Sequence, residues 1–160
     1  SIKNWKPYQS KKIIQDELLF ISGDEKLAKK KRIKFKDTTL NPWVTYPENY
    51  YLDQVVKESY KNQLADLPTA VARFTTPQQI YRFVAATNTN TALPNSFMVA
   101  NPATDKLHTL SFEPAIKFDL NFVFRKDKDQ IPRIKNFLDE FDAYLRTEDY
   151  ISRLQKINQK

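Results

Sequence analysis

Residues 76–94 read TPQQIYRFVAATNTNTALP, and this stretch predicts a helix, a polar loop and a buried strand in succession. Thr76 can cap the helix, Pro77 suits its first position, and Gln79 completes a capping box. Residues 87–90 supply the polar loop that leads into the strand. The order helix, loop, strand is typical of a ligand-lined turn in an α/β domain. One apolar face of the helix is formed by residues at the helical spacing: Ile80, Phe83 and Val84.

The rest of the chain alternates between strand-like and helix-like segments. Residues 1–15 show no clear period, whereas apolar and polar residues alternate almost perfectly over residues 116–124. This alternation of segments predicts an α/β fold with a mixed or parallel sheet. Strands are predicted at 18–21, 33–35, 43–46, 70–74, 97–99, 107–110 and 116–124, and further helices at 51–64, 134–145 and 150–157.

The composition is that of one globular domain. The chain has 160 residues, of which 41% are hydrophobic and 13% aromatic, and these shares predict a packed core. No run of about eighteen apolar residues and no signal peptide is found, so no membrane span is expected. The absence of cysteine excludes disulfides, thiol catalysis and thiolate metal sites. It also fits a cytoplasmic protein.

The formal net charge of +7 indicates an acidic partner. Much of the excess lies within residues 26–36, which contain six lysines and one arginine. Two interpretations stay open, a phosphate-contacting patch and a solvated loop that leads into a strand. A standalone basic nucleic-acid-binding module is therefore the alternative function. The single glycine, Gly23, excludes the glycine-rich phosphate motifs of nucleotide-binding enzymes.

Nothing in the sequence predicts a catalytic residue, a metal site or a cofactor. His108 is the only histidine, and it has no partner at the spacing of metal ligands or of an acid–base pair. Two acidic pairs, Asp16 with Glu17 and Asp24 with Glu25, are placed on turns at strand ends. They are expected to be solvated charges, because adjacent carboxylates on a strand point apart. The serines lack a base and an elbow motif.

Two loops have the residue types of a binding site. The first lies between a predicted strand and the start of a helix, where free backbone N–H groups favour a carboxylate or a phosphate. The second connects the helix and the strand of the quoted stretch. Ordinary capping and turn chemistry is the alternative explanation for both loops. The candidate binding residues are Thr45, Tyr46, Pro47, Glu48, Asn49 and Tyr50 in the first loop, and Thr87, Asn88, Thr89 and Asn90 in the second.

The order of these segments resembles the effector-binding domain of LysR-type transcriptional regulators. The resemblance covers residues 13–144, and the order and spacing of the motifs carry it, since each motif is short. The matching segments are residues 16–21 (DELLFI), 24–28 (DEKLA), 36–37 (KD), 41–47 (NPWVTYP), 83–86 (FVAA) and 92–94 (ALP), the strand at 118–125 and the helix that carries Phe137.

This resemblance implies a fold like that of periplasmic binding proteins, in which two α/β lobes joined by crossing strands enclose an effector. It places the second lobe at residues 18–114 and the remainder of an incomplete first lobe at 1–17 and 115–160. It also implies that the two candidate loops face one crevice. The family has glycines where Thr87 and Thr89 stand, so one of the neighbouring residues, Asn88 or Asn90, is expected to be left-handed.

The resemblance further implies a domain that senses a small anionic metabolite and forms a homodimer or a homotetramer in the cytoplasm. DNA would be contacted only through an upstream winged helix-turn-helix that these 160 residues do not contain. The surface left by the missing part of the first lobe would be covered by another copy or by a cleaved N-terminal piece. A solute-binding protein of a transport system is disfavoured, because the sequence shows no export signal.

Overall fold

The computed structural model describes residues 10–102 and 106–124. The strands are β1 (Ser10–Ser22), β2 (Arg32–Lys34), β3 (Trp43–Thr45), β4 (Ala70–Arg73), β5 (Thr91–Pro94) and β6 (His108–Phe124). The α-helices are α1 (Tyr51–Asn62), α2 (Pro77–Ala86) and α3 (Asn95–Ala100), and short 3-10 turns occupy Glu25–Leu27 and Phe35–Asp37. This alternation confirms the predicted α/β class. No helix among these residues is both long enough and apolar enough to cross a lipid bilayer.

The strands form a mixed sheet, as predicted. β2, β6, β1 and β5 lie in that order, with β2 parallel to β6 and β1 antiparallel to both of its neighbours. β3 and β4 form a separate parallel pair. A parallel bridge between Trp43 and Asn90 joins β3 to the start of β5. β4 is therefore the last strand of the array on that side within the described residues.

β1 and β6 form a long antiparallel ribbon that is interrupted at one irregular point. The sequence predicted separate strands at 107–110 and 116–124 and no strand at 10–15, where it shows no clear period, and these details are wrong. Residues 1–9 of that N-terminal segment lie outside the described residues. The two segments form one continuous strand. The register of pairing shifts between Leu18 and Leu19, and residues 112–115 of β6 therefore have no partner in β1. Pro114 lies in this irregular part, where its missing N–H costs no hydrogen bond to β1.

Residues 18–21 of β1 are buried on both faces of the sheet, which explains why they are four apolar residues in a row. Leu18 and Phe20 contact one core, and Leu19 and Ile21 contact another. The predicted buried strand is confirmed. The first core also contains Ile33, Phe35, Trp43, Val56, Tyr60, Ala92, Leu110, Phe112, Ile116 and Phe118, and the second contains Val44, Tyr46, Ile80, Val84, Leu93 and Met98.

The predicted strand at residues 97–99 is wrong, because these residues belong to α3. A short apolar run does not distinguish a strand from a helix. The helical form is stabilised here by packing, since Met98 is buried in the same core as Leu19 and Ile21. Tertiary contacts thus decide the conformation of a segment whose own pattern was ambiguous.

The predictions for α1 and α2 are confirmed. Pro77 is the first residue of α2, and the Thr76 hydroxyl oxygen accepts a hydrogen bond from the Gln79 N–H at 3.3 Å. The helix predicted at 51–64 ends slightly earlier, at Asn62. The helices predicted at 134–145 and 150–157 lie outside the described residues.

Candidate functional site

Three strand–helix units bring the starts of three helices to one edge of the sheet. β3 leads into α1, β4 into α2 and β5 into α3. β4 is parallel to β3, and the bridge between Trp43 and Asn90 is parallel as well. Because parallel strands end at the same edge, the three helix starts lie along it. This edge, called the carboxyl edge below, comprises residues 46–50, 74–76 and 94–96. The positive ends of helices favour anions.

The loop at residues 46–50 turns tightly from β3 into α1. The Tyr50 N–H donates to the Pro47 carbonyl oxygen at 3.2 Å, and Asn49 has a left-handed backbone with φ of 71°. Asparagine tolerates this conformation because its short polar side chain can hydrogen-bond locally. Tyr46 is buried in the second core, and burial raises the pKa of its hydroxyl. Tyr50 is 44% exposed, so its ring, unlike that of Tyr46, lies at the surface of the edge.

Arg73, the last residue of β4, fixes this loop in place. Its Nη1 donates to the Tyr46 carbonyl oxygen at 2.8 Å and to Asp53 Oδ1 at 3.2 Å. Its Nη2 lies 3.7 Å from Glu48 Oε1. The second oxygen of the buried Asp53 lies 3.0 Å from Lys57 Nζ. The buried Asp53 carboxylate has two cationic partners, Lys57 and Arg73, and the Arg73 guanidinium also binds the loop. Arg73 and Asp53 therefore connect β4, the loop and α1 rigidly.

The start of α2 has an uncompensated positive end. Its first turn contains no acidic residue, and an acidic side chain is the usual source of local compensation. Thr76 and Gln79 exchange hydrogen bonds, since the Thr76 hydroxyl also donates to Gln79 Oε1 at 3.1 Å. Thr75 and Gln78 are exposed beside this cap. The start of α1 differs, because its first turn contains the paired Asp53.

A buried carboxylate occupies the start of α3. Asp16 is 4% exposed and accepts hydrogen bonds from the Ser96 N–H at 3.3 Å and from the Ser96 hydroxyl. Burial raises the pKa of Asp16, and the hydrogen bonds from Ser96 and from the Glu17 N–H oppose that effect. The prediction that Asp16 and Glu17 are solvated on a turn is wrong. Both lie in β1, and the Ser111 hydroxyl of β6 donates to Glu17 Oε2 at 2.7 Å.

The second predicted loop, residues 87–90, lies at the opposite end of β3 from the first. The Asn90 N–H donates to the Pro42 carbonyl oxygen at 3.0 Å, and the Val44 N–H donates to the Asn90 carbonyl oxygen at 2.9 Å. Asn90 therefore lies beside the start of β3, whereas residues 46–50 follow its end. The structure places the ten candidate residues in two groups and does not bring them to one crevice.

Hydroxyl groups stabilise the second loop locally. The Thr87 hydroxyl donates to the Phe83 carbonyl oxygen at 2.6 Å, and the Thr87 and Thr89 hydroxyls are 2.8 Å apart. Thr87 has an extended backbone, with φ of −135°. No residue in this loop has a positive φ, so the left-handed conformation expected at Asn88 or Asn90 is not adopted. Local capping explains the threonines here without a ligand.

Sequence reasoning missed two parts of the carboxyl edge, residues 74–76 and 94–96. The cap at Thr76 was identified as a helix start, but its position beside residues 46–50 depends on the parallel pairing of β3 and β4. No strand-pairing signal for those short strands exists in the sequence. In the described part of the chain, no cluster of three or more metal-ligating side chains occurs, and His108 Nε2 lies 3.6 Å from Glu25 Oε1.

Comparison with known proteins identifies the family of this chain. Residues 2–146 match the model of the LysR substrate binding domain. The regulatory domain of CcmR from Synechocystis PCC6803, solved in complex with 2-PG, is similar with a TM-score of 0.64 at 15% identity, over 87% of this chain and 69% of that chain. The regulatory domain of MexT from Pseudomonas aeruginosa is similar with a TM-score of 0.61 at 15% identity, over 84% and 66%.

The transcriptional regulator CbnR is also similar, with a TM-score of 0.57 at 16% identity, over 86% of this chain. The chain spans about half the length of CbnR, 48%. No curated protein sequence matches the chain. At these identities the structural likeness shows the fold alone, which is the periplasmic-binding-protein-like fold of LysR regulatory domains. The match over residues 2–146 shows the family as well: this chain belongs to the LysR substrate binding domain family.

Proposed function

We propose that this chain is the effector-sensing part of a LysR-type transcriptional regulator and that the carboxyl edge binds a small anion. One observation carries the proposal: the starts of α1, α2 and α3 lie along one sheet edge, and the start of α2 is the one of the three without a carboxylate of its own, since Asp53 lies in the first turn of α1 and Asp16 binds the start of α3. Backbone N–H groups at helix starts bind carboxylates and phosphates without a dedicated cationic side chain. The proposal assigns no catalytic step, cofactor or metal to the chain.

The carboxyl edge has the features of a site whose ligand could change the domain's shape. The β1–β6 ribbon extends beyond this edge, because residues 10–17 of β1 pair with β6 but have no partner in β5. Asp16 of this ribbon is hydrogen-bonded to Ser96 at the edge. A ligand shifts an equilibrium between two positions of the ribbon only by its difference in affinity for the two conformations. We propose that an anion bound here favours one position of the ribbon.

The proposal keeps residues 45–50 as effector contacts and adds residues 74–76. Residues 87–90 lie at the other end of β3, so we propose no contact between them and the same ligand. The solved structure of CcmR with 2-PG supports a small-molecule ligand for the family. We propose a small anion for this chain, because of the helix starts described above.

Thermal-shift measurements with a panel of small carboxylates and phosphate esters test this function. We expect at least one compound to raise the unfolding temperature of the chain, because a ligand of the folded state stabilises it by mass action. Gln78→Glu places a negative charge at the start of α2 and should weaken binding about three- to tenfold by repulsion. Gln63→Glu, at the end of α1, is the matched control and should leave the affinity unchanged. Equal effects of both substitutions, or no stabilising compound, would contradict the proposal.

We also propose that the chain forms a homo-oligomer, with DNA bound through a domain upstream of these residues and with action in the cytoplasm. β4 is the outermost described strand on its side, and Val71 on it is 56% exposed. An unpaired strand edge with an exposed apolar side chain favours association. Light scattering after size-exclusion chromatography should show a dimer or tetramer for the wild type and a shift towards monomer for Val71→Lys. A monomeric wild type would contradict this part of the proposal.

A further inference from the structure

A large cavity lies at the edge of the sheet opposite the carboxyl edge. It has a volume of about 600 Å³, which is within the range of sites for small organic ligands. Asn90 and Asn41 line it at the start of β3 and β5, so β3 itself separates the cavity from residues 46–50. Five cationic side chains also line it: Lys26, Lys30, Arg32, Lys34 and Lys36. Three carboxylates complete the charged set: Asp24, Asp37 and Glu113.

The wall that carries several of these charges is rigid. β2 is hydrogen-bonded to β6, with Lys34 paired to Glu113. The 3-10 turn that follows contains Phe35, which is 5% exposed. The buried Thr38 hydroxyl donates to the Phe35 carbonyl oxygen at 2.7 Å, and Trp43 Nε1 donates to the Thr38 carbonyl oxygen at 2.7 Å. The backbone that carries these cations is therefore fixed before a ligand arrives, which lowers the entropy cost of binding.

The 3-10 turn at Glu25–Leu27 is also held by hydrogen bonds. The Asp24 carboxylate accepts a hydrogen bond from the Lys26 N–H at 3.0 Å, and the Asp24 N–H donates to the Ser22 hydroxyl at 3.1 Å. Apolar side chains lie between the two charged walls. Phe20 and Ile33 are buried there, whereas Leu40 is 82% exposed. The cavity thus combines charged walls with an apolar lining that could contact a carbon skeleton.

The charges in the cavity are not neutralised pairwise. The five cations and three carboxylates give the lining a net charge of +2. None of the five cations makes an ion pair with a carboxylate among residues 10–102 and 106–124. Elsewhere in the same chain Arg73 and Lys57 do pair with Asp53. Unpaired cations around a concave surface raise the local concentration of anions.

We propose that this cavity is a second ligand site, for a small organic phosphate ester. A phosphate monoester carries about −1.5 to −2 charge at neutral pH, which matches the net charge of the lining. Four of the five cations are lysines, which bind phosphate as point charges. The carboxylates Asp24, Asp37 and Glu113 can accept hydrogen bonds from hydroxyl or amino groups of the ligand. Duplex DNA fits less well, because its phosphate backbone would meet these carboxylates and would not enter a concave site of this size.

Calorimetric titration of the 160-residue chain with phenyl phosphate tests the site. We expect a saturable binding step that persists in the Gln78→Glu variant of the carboxyl edge, and no binding of benzyl alcohol, which has the ring without the phosphate. Lys30→Gln with Lys34→Gln removes two charges that line the cavity. This double variant should weaken binding about tenfold or more.

The matched control is Lys29→Gln with Lys31→Gln, since both lysines are exposed in the same segment and neither lines the cavity. It removes the same total charge and should change the affinity less than twofold. Equal losses in the two double variants would overturn the proposal, since they would indicate attraction by net charge alone. Absence of saturable phenyl phosphate binding would also overturn it. Salt-sensitive binding of a duplex DNA that weakens equally in both variants, with no phenyl phosphate binding, would favour the nucleic-acid patch instead.

These outcomes are independent of the carboxyl edge. Gln78→Glu lies at the start of α2, so it should leave phenyl phosphate binding at the cavity unchanged. Failure of one site would thus leave the other testable.

Discussion

Asp16 on β1 accepts two hydrogen bonds from Ser96 at the start of α3, a residue that lies 80 positions further along the chain. This pair connects the β1–β6 ribbon to the carboxyl edge. The carboxylate accepts one N–H of the first turn of α3, that of Ser96, and is itself almost fully buried. The contact therefore links the position of the ribbon to the conformation of the proposed site.

The stability of the chain should depend on the ionisation of Asp16. Because burial raises its folded-state pKa above the ordinary value of 3.8, the folded state binds more protons than the unfolded state between the two pKa values. Stability from this group is then lost as pH rises through that interval. Asp16→Asn removes the titration, so its free energy of unfolding relative to wild type should rise as the pH increases above 3.8. Urea denaturation at several pH values measures it, and a pH-independent difference would contradict the assignment.

Thr38 should be important for stability although it is not apolar. Its hydroxyl donates to the Phe35 carbonyl oxygen and is hydrogen-bonded to the Tyr60 hydroxyl, and both partners are buried. Thr38→Val leaves the buried Tyr60 hydroxyl without this partner, while the Phe35 carbonyl oxygen keeps the Thr38 N–H, and it should cost about 1–3 kcal/mol in the free energy of unfolding. Thr39→Val is the control, since Thr39 is exposed, and it should change stability by less than about 0.5 kcal/mol. Similar losses in the two variants would contradict the proposed network.

The cap of α2 gives a smaller and more local effect. Thr76→Ala removes the acceptor of the Gln79 N–H and should destabilise the chain by about 1 kcal/mol. Thr75→Ala removes only a long contact to Gln79 Oε1, 3.4 Å, and should be close to neutral. Hydrogen exchange of the first-turn amides of α2 should rise in the Thr76 variant alone. Unchanged exchange there would show that the cap does not hold the helix start.

Arg73 should couple the carboxyl edge to α1. Arg73→Met leaves the buried Asp53 with Lys57 as its remaining ion-pair partner among the described residues, and we expect a loss of about 1–2 kcal/mol, reduced by the partial exposure of the guanidinium. Arg82→Met is the control, because Arg82 is exposed and makes no ion pair within residues 10–102 and 106–124. A double-mutant cycle of Arg73→Met with Asp53→Asn should give a coupling energy well above zero. A coupling energy near zero would exclude this role.

The sequence predicted those elements whose local signals agree with their packing. Thr76 and Pro77 define the start of α2, and the alternation of residues after Ile116 defines half of β6. The apolar run 18–21 is a strand buried on both faces, as its composition indicates. These features depend on neighbours in the sequence, so periodicity and capping chemistry suffice to predict them.

Features that depend on strand order were not predictable from local signals. The conformation of residues 97–99 depends on packing against β1, and the burial of Asp16 depends on Ser96 and β6. The separation of residues 46–50 from 87–90 follows from the parallel bridge at Trp43. Residue types alone identified both loops as polar turns, but only the sheet topology shows that they lie at opposite edges.

We propose above that the carboxyl edge binds the anionic effector. Backbone amide chemical shifts, recorded while the best compound from the thermal-shift panel is titrated, test it most directly. We expect the largest changes at residues 46–51, 75–79 and 96, with little change at 87–90. Changes confined to residues 87–90, or to the cavity lined by Lys30 and Lys34, with none along the carboxyl edge, would contradict it.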